Sequence, residues 1–301
     1  MSAGDAPEGV ARTALGMALV RAEESRRPDR LFDDPYAAAF VAAAPDAFAE
    51  HEAADDAEAL AALGEAFAFN ATIRTRFYDD YLLSATRVGC RQVGLLAAGL
   101  DSRAFRLPWP PGVRTFEVDL PEVFAFKARV LAQHHAEPRC QRVVVAADLS
   151  QDWAARLNGA NFDATAATAW LIEGLLAYLT PDQADRLLGT LGELSAPDTQ
   201  LAFEQGSGLS PALLQRAQTI PSMARYTSLF RGGLGRDEVG WLERHGWRAT
   251  AHDRFALAAT YRRTPPSGTG GGYVTAVRRG EARRSGTSKR SAVSRASDCS
   301  R

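Results

Sequence analysis

The sequence predicts an α/β protein: a doubly wound, mostly parallel sheet carrying an N-terminal helical cap. Three observations predict it. The first ninety residues read as Ala-rich and helical, with no β-rich run before position 92. From there to Gly206 short apolar runs alternate with amphipathic helices, the rhythm of parallel strands joined by right-handed crossovers. Near the end, WRATAHD (247–253) and GYVTAVR (272–278) read as an antiparallel pair closing the sheet.

The cap occupies residues 1–88 and holds three helical segments, Ala11–Arg26, Pro35–Ala44 and Ala57–Ala85. Pro35 suits the first turn of its helix, behind Asp33 or Asp34 as cap. The α/β core covers 89–279. Its strands are expected in QVGLLAAGL (92–100), RTFEVDL (114–120), RVVVAADL (142–149), TAWLIEGLLAY (168–178, beginning as a strand) and TQLAFEQG (199–206). Helices are expected at 121–135, with Pro121 at its start, in QDWAARL, at 181–194 behind Thr180 as cap, and at 236–246, closed by Gly246. Residues 207–235 break the rhythm and read as a helical insertion. SGTGGG (267–272) reads as a flexible turn, and there is no internal repeat.

The chain has 301 residues, 46% of them hydrophobic and 24% charged, which is soluble composition with ample apolar mass for a core. No apolar stretch approaches the roughly 20 residues that cross a bilayer. The N-terminus has no signal-peptide core, so a cytoplasmic location is expected. Cys90, Cys140 and Cys299 are scattered, which excludes a disulfide scaffold and a cysteine-rich metal site. The net charge of −1 hides an asymmetry: residues 278–301 carry eight basic and two acidic side chains, leaving an acidic body. The tail, 280–301, is expected to be disordered and dispensable, and the acidic body argues against nucleic-acid binding.

Ligands of such sheets bind at the carboxyl ends of the strands. Gly99 follows the first strand, and Asp119 ends the second 20 residues later, where a carboxylate can accept both hydroxyls of a ribose. A dinucleotide loop needs several glycines for the backbone to approach a pyrophosphate. This loop, Leu96-Ala97-Ala98-Gly99-Leu100-Asp101-Ser102-Arg103, has one. S-adenosyl-L-methionine has a ribose and an adenine but no phosphate, so the loop suits it better than NAD. A tight turn closed by a capping Asp119 is the alternative for these residues.

AAGLDSRAFRLPWPPG (97–112), FEVDLPEV (116–123), DL (148–149) and AWLIEGLLAYLTPDQ (169–183) together resemble the leucine carboxyl methyltransferase-like family of S-adenosylmethionine-dependent O-methyltransferases. TALGMALVRAEESR (13–26) and LFDDPYA (31–37) resemble its bacterial branch more narrowly, and the likeness runs from about Thr13 to Arg278. It implies a seven-stranded Rossmann-like sheet. It also implies that Asp119 holds the cofactor ribose, that Asp148 and Leu149 recognise adenine, and that Glu173 lies at the methionine end. Arg76 is implied to meet the cofactor carboxylate, and Tyr178 to face the substrate. Where the usual loop reads L-G-A-G, this chain has Ala97 for the first glycine, so Ala97 and Gly99 are both candidate cofactor contacts.

Each role has a plainer alternative: a helix cap for Asp148, a core ion pair for Glu173, a surface pair with Asp79 or Asp80 for Arg76, ring packing for Tyr178. Arg103 is read as holding the loop. A substrate carboxylate is already ionised at neutral pH and needs no base, which fits a sequence without a catalytic dyad. The resemblance implies O-methylation of a carboxylate or hydroxyl on a small molecule, a polyketide or another secondary metabolite. An NAD-type oxidoreductase and a non-catalytic nucleotide-binding protein with a decayed site, marked by Ala97, are the competing readings.

Overall fold

The computed structural model describes residues 10–48, 57–206, 208–220, 224, 227–235 and 237–280. The basic tail beyond 280 and parts of the 207–235 insertion lie outside the described residues. One seven-stranded sheet organises the rest, in the order β3-β2-β1-β4-β5-β7-β6. Its strands are β1 (Gln92–Leu96), β2 (Arg114–Asp119), β3 (Gln141–Ala146), β4 (Thr168–Ile172), β5 (Gln200–Gln205), β6 (Trp247–Asp253) and β7 (Gly272–Arg278). The first five run parallel, and β7 enters antiparallel between β5 and β6.

Strand alternation divides the core into two layers. Leu96, Trp170, Ile172 and Phe203 face α6 (Trp153–Gly159), α7 (Pro181–Glu193) and, beyond α8 (Pro211–Thr219) of the insertion, α9 (Glu238–Arg244). Val93, Leu95, Ala169 and Leu171 face the long helix α3 (Ala57–Arg87). Gly94 sits between the strands because Trp170 needs its space: a Cβ there would fall 2.1 Å from the indole ring. A third cluster joins α1 (Val10–Ser25) and α2 (Ala37–Ala42) to α4 (Arg103–Arg106) and α5 (Pro121–Gln133) through Leu15, Phe40, Phe105 and Phe126.

Most expected elements appear within a few residues of their expected bounds. Thr180 and Gln183 form the capping box of α7, and Gly246, at φ 82°, follows α9. Three details differ. Asp34 is not the N-cap of α2, which is Tyr36; it is buried, accepting from Arg21 Nε at 2.8 Å, Ser102 Oγ at 2.7 Å and, through Oδ1, the Tyr36 amide at 3.1 Å. The short α4 was not anticipated. Nor was α10 (Arg254–Thr260), which lies between β6 and β7 and is capped by Asp253 on the Ala256 amide. No helix among the described residues is long and apolar enough to cross a membrane.

Candidate functional site

Strand register builds the site. Leu96 pairs with Val118 and Ile172, and Ile172 with Phe203, so these four share one row across the sheet. One step further, Ala97, Asp119, Glu173 and Glu204 therefore share the carboxyl edge.

At the β1 tip the chain turns through two left-handed residues, Ala97 at φ 53° and Gly99 at φ 48°. Only the glycine occupies that region without steric cost. The Gly99 amide donates to Asp119 Oδ2 at 2.6 Å, and the Leu120 amide to Oδ1 at 2.7 Å. This is the capping arrangement foreseen as the alternative, yet each carboxylate oxygen keeps a second lone-pair site for a hydroxyl donor. Burial pushes the Asp119 carboxyl above its ordinary range, with the two amides opposing. Ala98 packs into the core, whereas Ala97 is partly exposed. Beyond β3, Asp148 is exposed and accepts from the Ser150 amide at 2.8 Å, while Leu149 packs against the core. Asp148 is not the helix cap; Asp152 is, accepting from the Ala155 amide.

At the β4 tip Glu173 is doubly paired, to Arg74 Nε at 2.9 Å and to Arg103 Nη1 at 2.7 Å. Burial raises its carboxyl, but the two guanidinium charges outweigh that and hold it below its ordinary value. Arg74 also donates through Nη1 to Glu204 Oε1 at 2.7 Å, and the Gly174 amide donates to the same carboxylate. Burial and the nearby Glu173 charge raise Glu204 despite Arg74. Arg103 holds the loop, as expected: its guanidinium also bonds Asp79 and Asp101. Arg106 grips Asp79 with two nitrogens, at 2.6 and 2.7 Å.

Arg76 is not brought to this edge, which corrects the role expected for it. Its guanidinium pairs with Asp80 at 2.9 Å and donates to the Leu31 carbonyl, beside the Tyr261 ring. The reason is helical phase. Two residues turn about 200° around a helix, so Arg74 lies one turn before buried Tyr78, and Arg76 one turn before outward Asp80. Sequence reasoning also passed over Glu204. The available signals were an arginine on the apolar row of Ile73, Phe77, Tyr78 and Tyr81, and an acid at a strand tip.

Helix α1 lies over the loop. Arg21 Nη2 donates to the Leu100 carbonyl at 2.8 Å, and a Cβ on Gly99 would stand 3.6 Å from that of Ala14. Arg74 Nη2 meets Met17 Sδ at 2.9 Å. Tyr178, on the 3-10 turn Leu176–Tyr178, packs its ring against Phe230 at 5.2 Å. Burial raises its phenol above the ordinary value. A cavity of about 500 Å³ opens beside these residues, between the β5 tip and the insertion. Among the described residues no group of His, Cys, Asp and Glu could hold a metal ion.

A protein of Parafrankia sp., provisionally named an S-adenosyl-L-methionine-dependent methyltransferase, is 48% identical over 272 residues, 90% of this chain and 87% of its own length. A protein of the same provisional name from Streptomyces coelicolor is 44% identical over 280 residues, 91% of this chain and 97% of its own. The solved structure of an O-methyltransferase family protein from Burkholderia thailandensis covers 76% of this chain and 64% of its own, with 15% identity and a TM-score of 0.47, too slight a likeness to argue from. The leucine carboxyl methyltransferase model matches residues 14–192, from within α1 through every strand tip from Ala97 to Glu173. The chain belongs to the leucine carboxyl methyltransferase family and is a methyltransferase.

Proposed function

We propose that the protein transfers a methyl group from S-adenosyl-L-methionine to an oxygen, carboxylate or hydroxyl, of a small molecule. S-adenosyl-L-methionine is the methyl donor. The observation that carries the reading is the complementarity of the strand tips to that one molecule. Asp119 offers acceptor sites for ribose hydroxyls beside the Gly99 backbone. Asp148, exposed at the β3 end, can accept from the adenine amine, and the neighbouring Leu149 amide can donate to a ring nitrogen. Arg74 and Glu173 stand together as an opposite-charge pair, matching the carboxylate and ammonium of an amino-acid end. The role expected of Arg76 thus passes to Arg74, and Ala97 contributes backbone.

When bound, the donor supplies an electrophilic methyl group on a sulfonium. The chain's own part is to orient the acceptor and exclude water. Tyr178, its ring held against Phe230, orients the acceptor oxygen, and α1 covers the loop from the solvent side. Calorimetric titration with S-adenosyl-L-methionine and, separately, NAD tests the reading. Binding of the first alone is expected, and Asp119→Ala should weaken it by about 1.5–3 kcal/mol, the scale of a charge-assisted hydrogen bond. Binding of NAD in its place, or unchanged affinity in a folded Asp119→Ala protein, would overturn the assignment.

A further inference from the structure

Of the chain's 35 basic residues only Lys127 and Lys289 are lysines, and Lys289 lies in the tail outside the described residues. Elsewhere in the core the chain meets buried acids with arginine, through Arg21, Arg103 and Arg106. Lys127, on α5, is fully buried. Its Nζ donates to Glu117 Oε2 at 2.8 Å, and neither side chain reaches solvent. Arg142, on β3, serves the same carboxylate, with Nε on Oε1 at 2.9 Å and Nη2 on Oε2 at 2.6 Å. That bidentate pair already neutralises Glu117, so the Lys127 charge is left over beneath the loop.

The strand shows where that charge stands. Phe116 and Val118 join the α6 and α7 layer, so Thr115, Glu117 and Asp119 alternate onto the opposite face of β2. Glu117 and Asp119 are neighbours on that face, about 7 Å apart along the strand. Helix α5 starts at Pro121, directly past Asp119, so its N-terminal end lies at the carboxyl edge of the sheet. Helical side chains lean toward that end, which aims Lys127 from the middle of α5 toward the edge.

We infer that Lys127 is a positioning residue for the cofactor ribose: its buried ammonium, anchored on Glu117, supplies the positive charge that keeps Asp119 a carboxylate toward the ribose hydroxyls. The inference rests on the ribose role proposed above for Asp119 and adds the residue that supports it. Burial raises the Asp119 carboxyl; the Gly99 and Leu120 amides and the Lys127 charge oppose it, and Glu122 adds to it. At Asp101 burial again raises the carboxyl, and Lys127 stands after Arg103 among the charges that hold it down. The other charged groups around this corner are Arg142 of β3 and Arg21 of α1. A carboxylate accepts from both ribose hydroxyls, whereas a protonated Asp119 carries a hydrogen on one oxygen and loses acceptor capacity there. Lysine suits the task because its ammonium is a compact point charge, where the fork of an arginine commits its geometry to one carboxylate.

Carbon NMR of the full-length protein, isotope-labelled at its aspartate carboxyls, tests this without any ligand, and Asp119→Asn identifies the signal. Lys127→Met removes the charge but leaves Glu117 its two bonds from Arg142, so the fold should hold. The Asp119 titration midpoint should then rise by about half a pH unit or more. Lys127→Arg keeps the charge and should leave the midpoint near that of the wild type, whatever it does to the melting temperature. Glu117→Gln removes the neighbouring negative charge and should lower the midpoint; it carries the test if Lys127→Met does not fold. In calorimetric titrations over a range of pH, Lys127→Met should lose affinity for S-adenosyl-L-methionine at a higher pH than the wild type does. A core ion pair with no part in the site would lower the melting temperature of Lys127→Met and move neither midpoint. An Asp119 midpoint unmoved by Lys127→Met or by Glu117→Gln, or moved as far by Lys127→Arg as by Lys127→Met, would overturn the inference. So would a cofactor affinity with the same pH dependence in Lys127→Met as in the wild type. Failure of the wild type to bind S-adenosyl-L-methionine, with the Asp119 shifts as expected, would count instead against the proposed function.

Discussion

At position 97 the backbone takes a conformation that suits glycine, and the residue is alanine. A φ of 53° brings Cβ toward the following carbonyl, a cost of roughly 1–2 kcal/mol for an L-residue. In ordinary backbone Ala97→Gly would lower stability, because glycine has more freedom to lose on folding. The left-handed φ reverses that sign. The strain relieved exceeds the roughly 0.5–1 kcal/mol entropic penalty of glycine. Ala97→Gly should therefore raise the unfolding free energy by up to about 1 kcal/mol, measured by urea denaturation. A lower midpoint in urea would show that the surroundings hold the alanine turn at no cost. Asp119 shows the opposite economy: two backbone amides anchor it from behind, so its rotamer is set before a ligand arrives. Both residues were legible in the sequence, the acid from its offset after Gly99 and the alanine from its departure from the family loop. The sign of φ at Ala97 was not, because a glycine in the family loop can serve the close approach of a ligand as well as a left-handed turn.

Helix α3 shows where such legibility ends. Its apolar face could be read from the spacing of Ile73, Phe77, Tyr78, Tyr81 and Leu82, but the choice between two arginines depended on helical phase near its middle. Arg74 lies on the buried row and ties the tips of β4 and β5 together. Arg74→Met should cost about 2–3 kcal/mol, below the full price of breaking a buried pair because the site is partly exposed. Adding Glu204→Gln to that variant should recover part of the loss, since it removes the carboxylate left unpaired. Additive losses in the double variant would show that the two side chains do not act on each other. The α4 loop makes a second prediction, in pH. Burial would raise Asp101, but the charges of Arg103, Lys127 and Arg106 prevail and hold it at about 2. A carboxyl whose folded value lies below its unfolded value contributes stability above roughly pH 4, and loses it as pH falls through the folded value. The unfolding free energy should thus drop between about pH 4 and pH 2, with about 2 kcal/mol of the fall due to Asp101. Asp101→Asn should flatten that limb, and a limb of unchanged depth would remove Asp101 as its source.

At the scale of the whole molecule, the alternation of strands and helices made the doubly wound sheet readable, and the late antiparallel pair was readable as its closure. The order in which β7 wedges between β5 and β6 was not read, because edge order depends on how α10 returns the chain and RFALAAT carries little periodic signal in seven residues. The same closure sets where the chain can be cut. Arg278 donates its amide to the Thr199 carbonyl and lies over the Trp247 ring, and the Arg279 amide reaches the Gly246 carbonyl. Truncation after Gly280 spares these contacts and removes a segment with few apolar side chains, so the melting temperature should stay within about 1 °C. Truncation after Val277 should lower it by several degrees. Equal melting temperatures for the two shortened proteins would show that β7 does not need its last residue.

Arg74 has one guanidinium and two carboxylates to serve, Glu173 at the place proposed for the donor and Glu204 on the cavity wall. A donor that draws this cation toward its own carboxylate withdraws positive charge from Glu204 and so makes the cavity wall more negative. Occupancy of one chamber then changes affinity in the other, and thermodynamic reciprocity requires the change to be equal in both directions. A ligand in the cavity and the proposed donor would then be coupled through a single side chain.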